Sequence, residues 1–121
     1  MVEDELRDPQ RIAELLRAEI EGFADPPFDS LAVESGDGSA ANGTEAFVIR
    51  EGGQTVCSAT KGADRLVLEF RHRPDAVADA ADAAGLQTRP KATTPPATIV
   101  FVERAAAVKR VIDVFRATHD S

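Results

Sequence analysis

Apolar residues recur along this chain with two periods, one near 3.6 and one of 2, and their succession predicts a series of elements. Ile12, Leu15, Leu16, Ile20 and Phe23 stand at helical spacing behind Asp8-Pro9, an N-cap residue followed by proline at the first helical position. A helix is predicted over about residues 9–22. Gly22 and the stretch ADPPFD end it, because consecutive prolines remove donors and push their neighbours from helical angles. Leu31 and Val33 alternate with small or polar residues and predict a short strand. SGDGSAANG then reads as a flexible loop over residues 35–44, and residues 1–8 are expected to be disordered.

The pattern becomes sharper in EAFVIREGGQTVCSAT, where two β-rich runs flank Gly52-Gly53, a pair that tolerates the positive φ of a two-residue hairpin. With Glu51 and Gln54 beside the turn, Ile49 is expected opposite Val56 and Val48 opposite Cys57. KGAD turns the chain into RLVLEF, whose Leu66, Leu68 and Phe70 point one way and Arg65, Val67 and Glu69 the other. From Pro74 to about Ala84 an alanine-rich helix places Val77, Ala81 and Ala84 on one side and Asp75, Asp79 and Asp82 on the opposite side, with Gly85 as its stop. TRPKATTPP reads as a crossover to ATIVFV, a strand apolar at nearly every position and so expected to be buried on both faces. A strand, helix and strand in one sheet connect by a right-handed crossover, which sets ATIVFV parallel to RLVLEF. A last helix over about 104–117 carries Val108, Val111, Ile112 and Phe115 on one face. The order α-β-β-β-β-α-β-α predicts a single α+β domain over residues 1–121. Its mixed or mainly antiparallel sheet has about five strands, with helices packed on one face.

Composition adds habitat to this outline. A chain of 121 residues suits one domain, and a domain of that size buries roughly two-thirds of its unfolded surface. Asp plus Glu number 21 against 14 Lys plus Arg, and only Lys61, Lys91 and Lys109 of the cations are lysine. Self-repulsion among carboxylates reaches about 10 Å at 0.1 M salt and about 3 Å at 1 M. Acidic balance, scarce lysine and abundant alanine resemble proteins of salt-loving archaea. The charge is uneven, with net −9 over residues 1–60 and +2 over 61–121. MVEDELRDPQ is not a signal peptide, IVFV is too short to span a bilayer, and the lone Cys57 suits a reducing compartment. A cytoplasmic protein without a membrane partner is expected.

The basic half holds the one candidate cluster. Arg71, His72 and Arg73 lie between a strand end and a helix start, where free amides and the helix dipole attract anions and arginine can grip a phosphate or carboxylate. Arg89 and Lys91 extend the candidate anion or ligand site. Against it stands pairing of Arg71 and Arg73 with Glu69 or the carboxylates of the second helix on a solvated face, where ion pairs contribute about 0–1 kcal/mol. Asp75, Asp79 and Asp82 read as a solvated acidic stripe rather than a metal site. Cys57, mid-strand in TVCSAT, reads as a small buried hydrophobe rather than a nucleophile, His72 and His119 being the only histidines. GDGSAANG is no phosphate loop, and no cofactor motif appears. Net −7 and the absence of Trp and Tyr weigh against an extended nucleic-acid footprint.

Residues 46–118 nevertheless resemble the YjbR-like proteins of the MmcQ family. The likeness rests on the glycine pair 52–53, on Arg65-Leu66-Val67-Leu68, on RPDAVADAADAAGL led by Pro74, and on ATIVFV with its closing helix. Gln54 stands where that family tends to have lysine. The resemblance implies a double-wing fold, for which DNA binding has been proposed, and implies no catalytic residue.

The expectation is a non-enzymatic binding module, regulatory or nucleic-acid-associated, acting through Arg71, His72, Arg73, Arg89 and Lys91. The alternative is a homodimer formed when ATIVFV or a meander edge pairs with a second copy. An enzyme with a pocket between the first helix and the sheet ranks below both.

Overall fold

The computed structural model describes residues 8–23, 28–36, 44–62, 64–92 and 96–119. The disorder read at 1–8 lies outside them except at Asp8, which caps the first helix, and the flexible loop read at 35–44 lies outside them except at its ends, where Ser35 and Thr44 are strand residues. Helix α1 spans Pro9–Gly22, and the Asp8 carboxylate accepts from the Gln10 amide at 3.1 Å, as the N-cap reading requires. Strand β1 (Ala32–Ser35) leads to β2 (Thr44–Glu51), β3 (Gln54–Lys61) and β4 (Leu66–Phe70). Helix α2 (Pro74–Ala83) is followed by β5 (Gln87–Lys91), β6 (Ala97–Val102) and, after a 3-10 turn at Ala105–Ala107, helix α3 (Val108–His119). The result is an α+β fold whose six strands form one sheet in the order β1-β2-β3-β4-β6-β5, every neighbouring pair antiparallel.

Three expectations are corrected. ATIVFV, now β6, runs antiparallel to β4, not parallel to it. The segment read as a connection contains a strand, β5: β4, α2 and β5 make the crossover, and β6 returns between β4 and β5 to pair with both. The hairpin register also differs. Arg50 pairs with Thr55 but Ile49 pairs with Cys57, so Val56 is an extra residue, and a second irregularity falls at Ala46. The bulge puts Ile49 and Cys57 on one face, where both are fully buried. Finally, β6 is not covered on both sides, for Ile99 and Phe101 stay half-exposed while Val100 and Val102 are buried.

The helices share one side of the sheet. Helix α1 packs on β1 to β4, α2 on β5 and β6, and α3 against both other helices. Ile12, Leu16, Ile20, Val77, Val111 and Phe115 from the helices close on Phe47, Ile49, Leu66, Leu68, Phe70, Val100 and Val102 from the strands. An aromatic series runs through this layer, with ring centroids 4.9 Å apart for Phe23–Phe28, 6.2 Å for Phe28–Phe115 and 5.2 Å for Phe115–Phe70. Truncating such a buried ring typically costs about 3–5 kcal/mol, so this series anchors helices to strands. Helix α2 ends in a Schellman motif: Leu86 N–H donates to Ala81 O and Gly85 N–H to Asp82 O, with Gly85 at φ 80° and Leu86 buried. That stop turns the chain into β5. No described element covers the opposite face of the sheet.

Candidate functional site

The cluster read from residues 71–73 does not hold together in space. Arg71 Nε donates to Glu69 Oε2 at 3.0 Å on the open face. Arg73 occupies the N-cap of α2 in the left-handed region, at φ 49°, and its Nη1 donates to Thr118 O at 2.9 Å in the last turn of α3. The two guanidiniums thus diverge, one onto the open face and one toward the helical layer. Arg73 is a cation at a helix C-terminus, where the dipole favours positive charge. His72 lines a groove of about 280 Å³ with Glu51, Arg73 and Phe115, and Glu51 accepts there from Ser30 Oγ at 2.7 Å.

Lys91 joins Arg71 instead. Its Nζ lies 2.7 Å from Glu69 Oε1, so the two cations clamp one carboxylate whose side chain is 19% exposed. Partial burial alone would raise the Glu69 pKa, but the hydrogen bonds from Lys91 and Arg71 outweigh it and hold the carboxyl below its ordinary value. The pairing weighed against an anion site therefore holds for Arg71, through Glu69 and not through the acidic stripe, but not in that form for Arg73, which reaches the Thr118 carbonyl; the tie from Lys91 to Glu69 was not anticipated. Asp75, Asp79 and Asp82 stand exposed along α2, and among the described residues no three His, Cys, Asp or Glu side chains gather as metal ligands would. Cys57 is fully buried and burial pushes its thiol far up, with the charge of Glu69 adding to the effect and Arg71 opposing it. A thiol in that state is no nucleophile.

Arg89 remains, and it leads to residues that the local pattern did not single out. It is exposed and without an ion-pair or hydrogen-bond partner among the described residues. Arg89 lines a groove of about 350 Å³ on the open face together with Asp64, Arg65, Val67, Ile99 and Phe101. The Arg65 guanidinium sits 3.9 Å from the centroid of the Phe101 ring, a cation–π contact that covers part of the half-exposed ring. The pairing register explains the grouping. Arg89 is opposite Ile99, which is opposite Glu69; Gln87 is opposite Phe101, which is opposite Val67. Residues far apart in sequence thus share two cross-strand rows. Ile99 and Phe101 could have been found from the sequence only by knowing that β6 has one uncovered face.

The family-model comparison matches residues 1–121. The chain belongs to the family of unknown function DUF7993. No curated protein and no solved structure matches this DUF7993 chain.

Proposed function

We propose that the protein is a non-enzymatic binding module that takes acidic side chains of a protein partner at the β4–β6–β5 end of its open sheet face. The observation carrying this reading is Arg89, exposed and without a direct ion-pair or side-chain hydrogen-bond partner among the described residues, beside an apolar floor of Val67, Ile99 and Phe101 in a groove that Arg65 and Asp64 also line. A carboxylate between two guanidiniums gains charge-assisted hydrogen bonds, and the floor below excludes water from them. A protein fits this face better than a nucleic-acid backbone does. Glu34, Glu45 and Glu69 lie on the same face among the arginines and would repel a continuous phosphate run, and the one aromatic ring there is already capped by Arg65.

Calorimetric titration of the protein with an oligoglutamate peptide and with a single-stranded oligonucleotide of equal charge tests the reading. The peptide is expected to bind, and Arg65→Ala/Arg89→Ala to weaken it by at least about tenfold, while Arg73→Ala leaves it unchanged. Binding of the oligonucleotide alone, or peptide affinity indifferent to Arg65 and Arg89, would overturn it.

A further inference from the structure

The open face carries a cross-strand row whose chemistry complements its own reverse. Read from edge to edge the row is Glu34, Val48, Ser58, Glu69, Ile99, Arg89, each residue the pairing partner of the next. Turning a second copy through 180° about an axis parallel to the strands lays β1 over β5, β2 over β6 and β3 over β4. Glu34 then faces Arg89 and Val48 faces Ile99, each contact occurring twice, while the buried Ser58 comes opposite Glu69 at the centre. The neighbouring row is Glu45, Thr60, Val67, Phe101, Gln87. The same rotation sets Glu45 over Phe101, where Arg65 already lies against the ring.

We infer that the acidic partner of the basic end is a second copy of this chain, docked face to face in a two-fold homodimer; this rests on the reading of that end as a carboxylate site. Isologous interfaces require such self-complementarity, because every contact is made twice by the same surface. Two sheets stack about 10 Å apart with strands about 30° from alignment, a gap that arginine and glutamate side chains span. The row is about 24 Å long, five interstrand spacings. Val48, Val67, Ile99 and Phe101, all half-exposed in the single chain, become the seam. Glu34 is ion-paired at 3.3 Å with Arg50, and it is exposed enough on its side chain (56%) to accept a second cation.

The expected dimer differs from the edge-paired one anticipated from the sequence. ATIVFV is flanked on both sides by β4 and β5 and has no free edge. The true edges are a four-residue β1 and a β5 interrupted by Pro90, both poor templates for strand addition.

Sedimentation equilibrium at low salt decides between these outcomes. The unaltered chain is expected to sediment as a dimer. Glu34→Arg or Arg89→Glu alone should weaken dimerisation by at least about tenfold, since each places like charges opposite one another twice. The double variant Glu34→Arg/Arg89→Glu should restore it to within about threefold, which a merely destabilised fold would not do. Glu34→Arg leaves the basic end intact, so its affinity for oligoglutamate should equal or exceed that of the unaltered chain. A monomer that still binds oligoglutamate would sink the dimer and leave the carboxylate site standing; a monomer that binds none would sink both. A dimer that neither single reversal weakens would place the interface elsewhere and overturn the inference.

Discussion

Glu69 couples the open face to pH. Its carboxyl is held below the ordinary value of 4.5 by Lys91 and Arg71, which outweigh the opposing effect of burial. A carboxylate whose folded pKa is depressed contributes stability that is fully present above its unfolded pKa and disappears as pH falls through the folded one. The protein should therefore lose melting temperature below about pH 4.5, and Glu69→Gln should remove part of that slope while lowering stability near neutrality. Melting curves from pH 7 down to pH 3 would show it, and identical slopes for the two proteins would contradict the assignment. At Cys57 the expected result is silence: a thiol-reactive dye should label it only on unfolding, because the side chain is fully enclosed and its thiolate suppressed. Legibility was uneven at this scale. The pairing of Arg71 with Glu69 follows from strand alternation, whereas the burial of Cys57 was legible from its residue type and not from alternation, since the bulge at Val56 sets its face. The tie from Arg73 to the Thr118 carbonyl depends on where α3 ends in space, which no local pattern encodes.

Elements whose order arises from local chemistry were read well, and those held by their neighbours were not. Asp8-Pro9 and the spacing of Ile12, Leu16 and Ile20 place α1 within the bounds observed, and Gly85 stops α2 as expected. Strand β5 escaped because QTRPK buries almost nothing and contains a proline; it is a strand through its pairing with β6, so an apolar alternation was never needed. The bulge at Val56 escaped because a one-residue slip is decided by the core, which takes both Ile49 and Cys57. The hairpin turn allows a clean measurement. Gly52 and Gly53 sit at φ 59° and 84°, and an added Cβ at either meets nothing within 4 Å. Gly53→Ala should thus cost about 1–2 kcal/mol from backbone strain alone. Gly22→Ala meets equally open space without a positive φ, and should be neutral or slightly stabilising. Urea denaturation of both variants gives the comparison, and an equal effect at the two sites would remove the backbone explanation.

At the scale of the whole molecule, local concentrations of charge stand out against mixed surroundings. Arg65, Arg71, Arg89 and Lys91 gather with Glu69 at one end of the open sheet, while the exposed stripe of Asp75, Asp79 and Asp82 follows α2 in the helical layer. A net charge of −7 confined to so small a body opposes its own compactness. Raising KCl from about 0.1 M to about 2 M shortens the screening length from roughly 10 Å to below about 3 Å, and so removes most of that repulsion. The exposed ion pairs Arg11–Glu14 and Arg17–Glu21 weaken in the same salt, but pairs of that kind contribute only about 0–1 kcal/mol each. Relief of repulsion should therefore win, and the melting temperature should climb throughout the titration at fixed protein concentration. Asp79→Asn/Asp82→Asn separates this cause from the general strengthening of apolar burial by salt. Both residues lie beyond the first turn of α2, and Asp82 sits at the unfavourable end of the helix dipole. Their neutralisation should raise the melting temperature at low salt and flatten its rise with KCl. A rise of unchanged steepness would assign the salt effect to the apolar core, and a melting temperature that stays level or falls would show that carboxylate repulsion does not limit this fold.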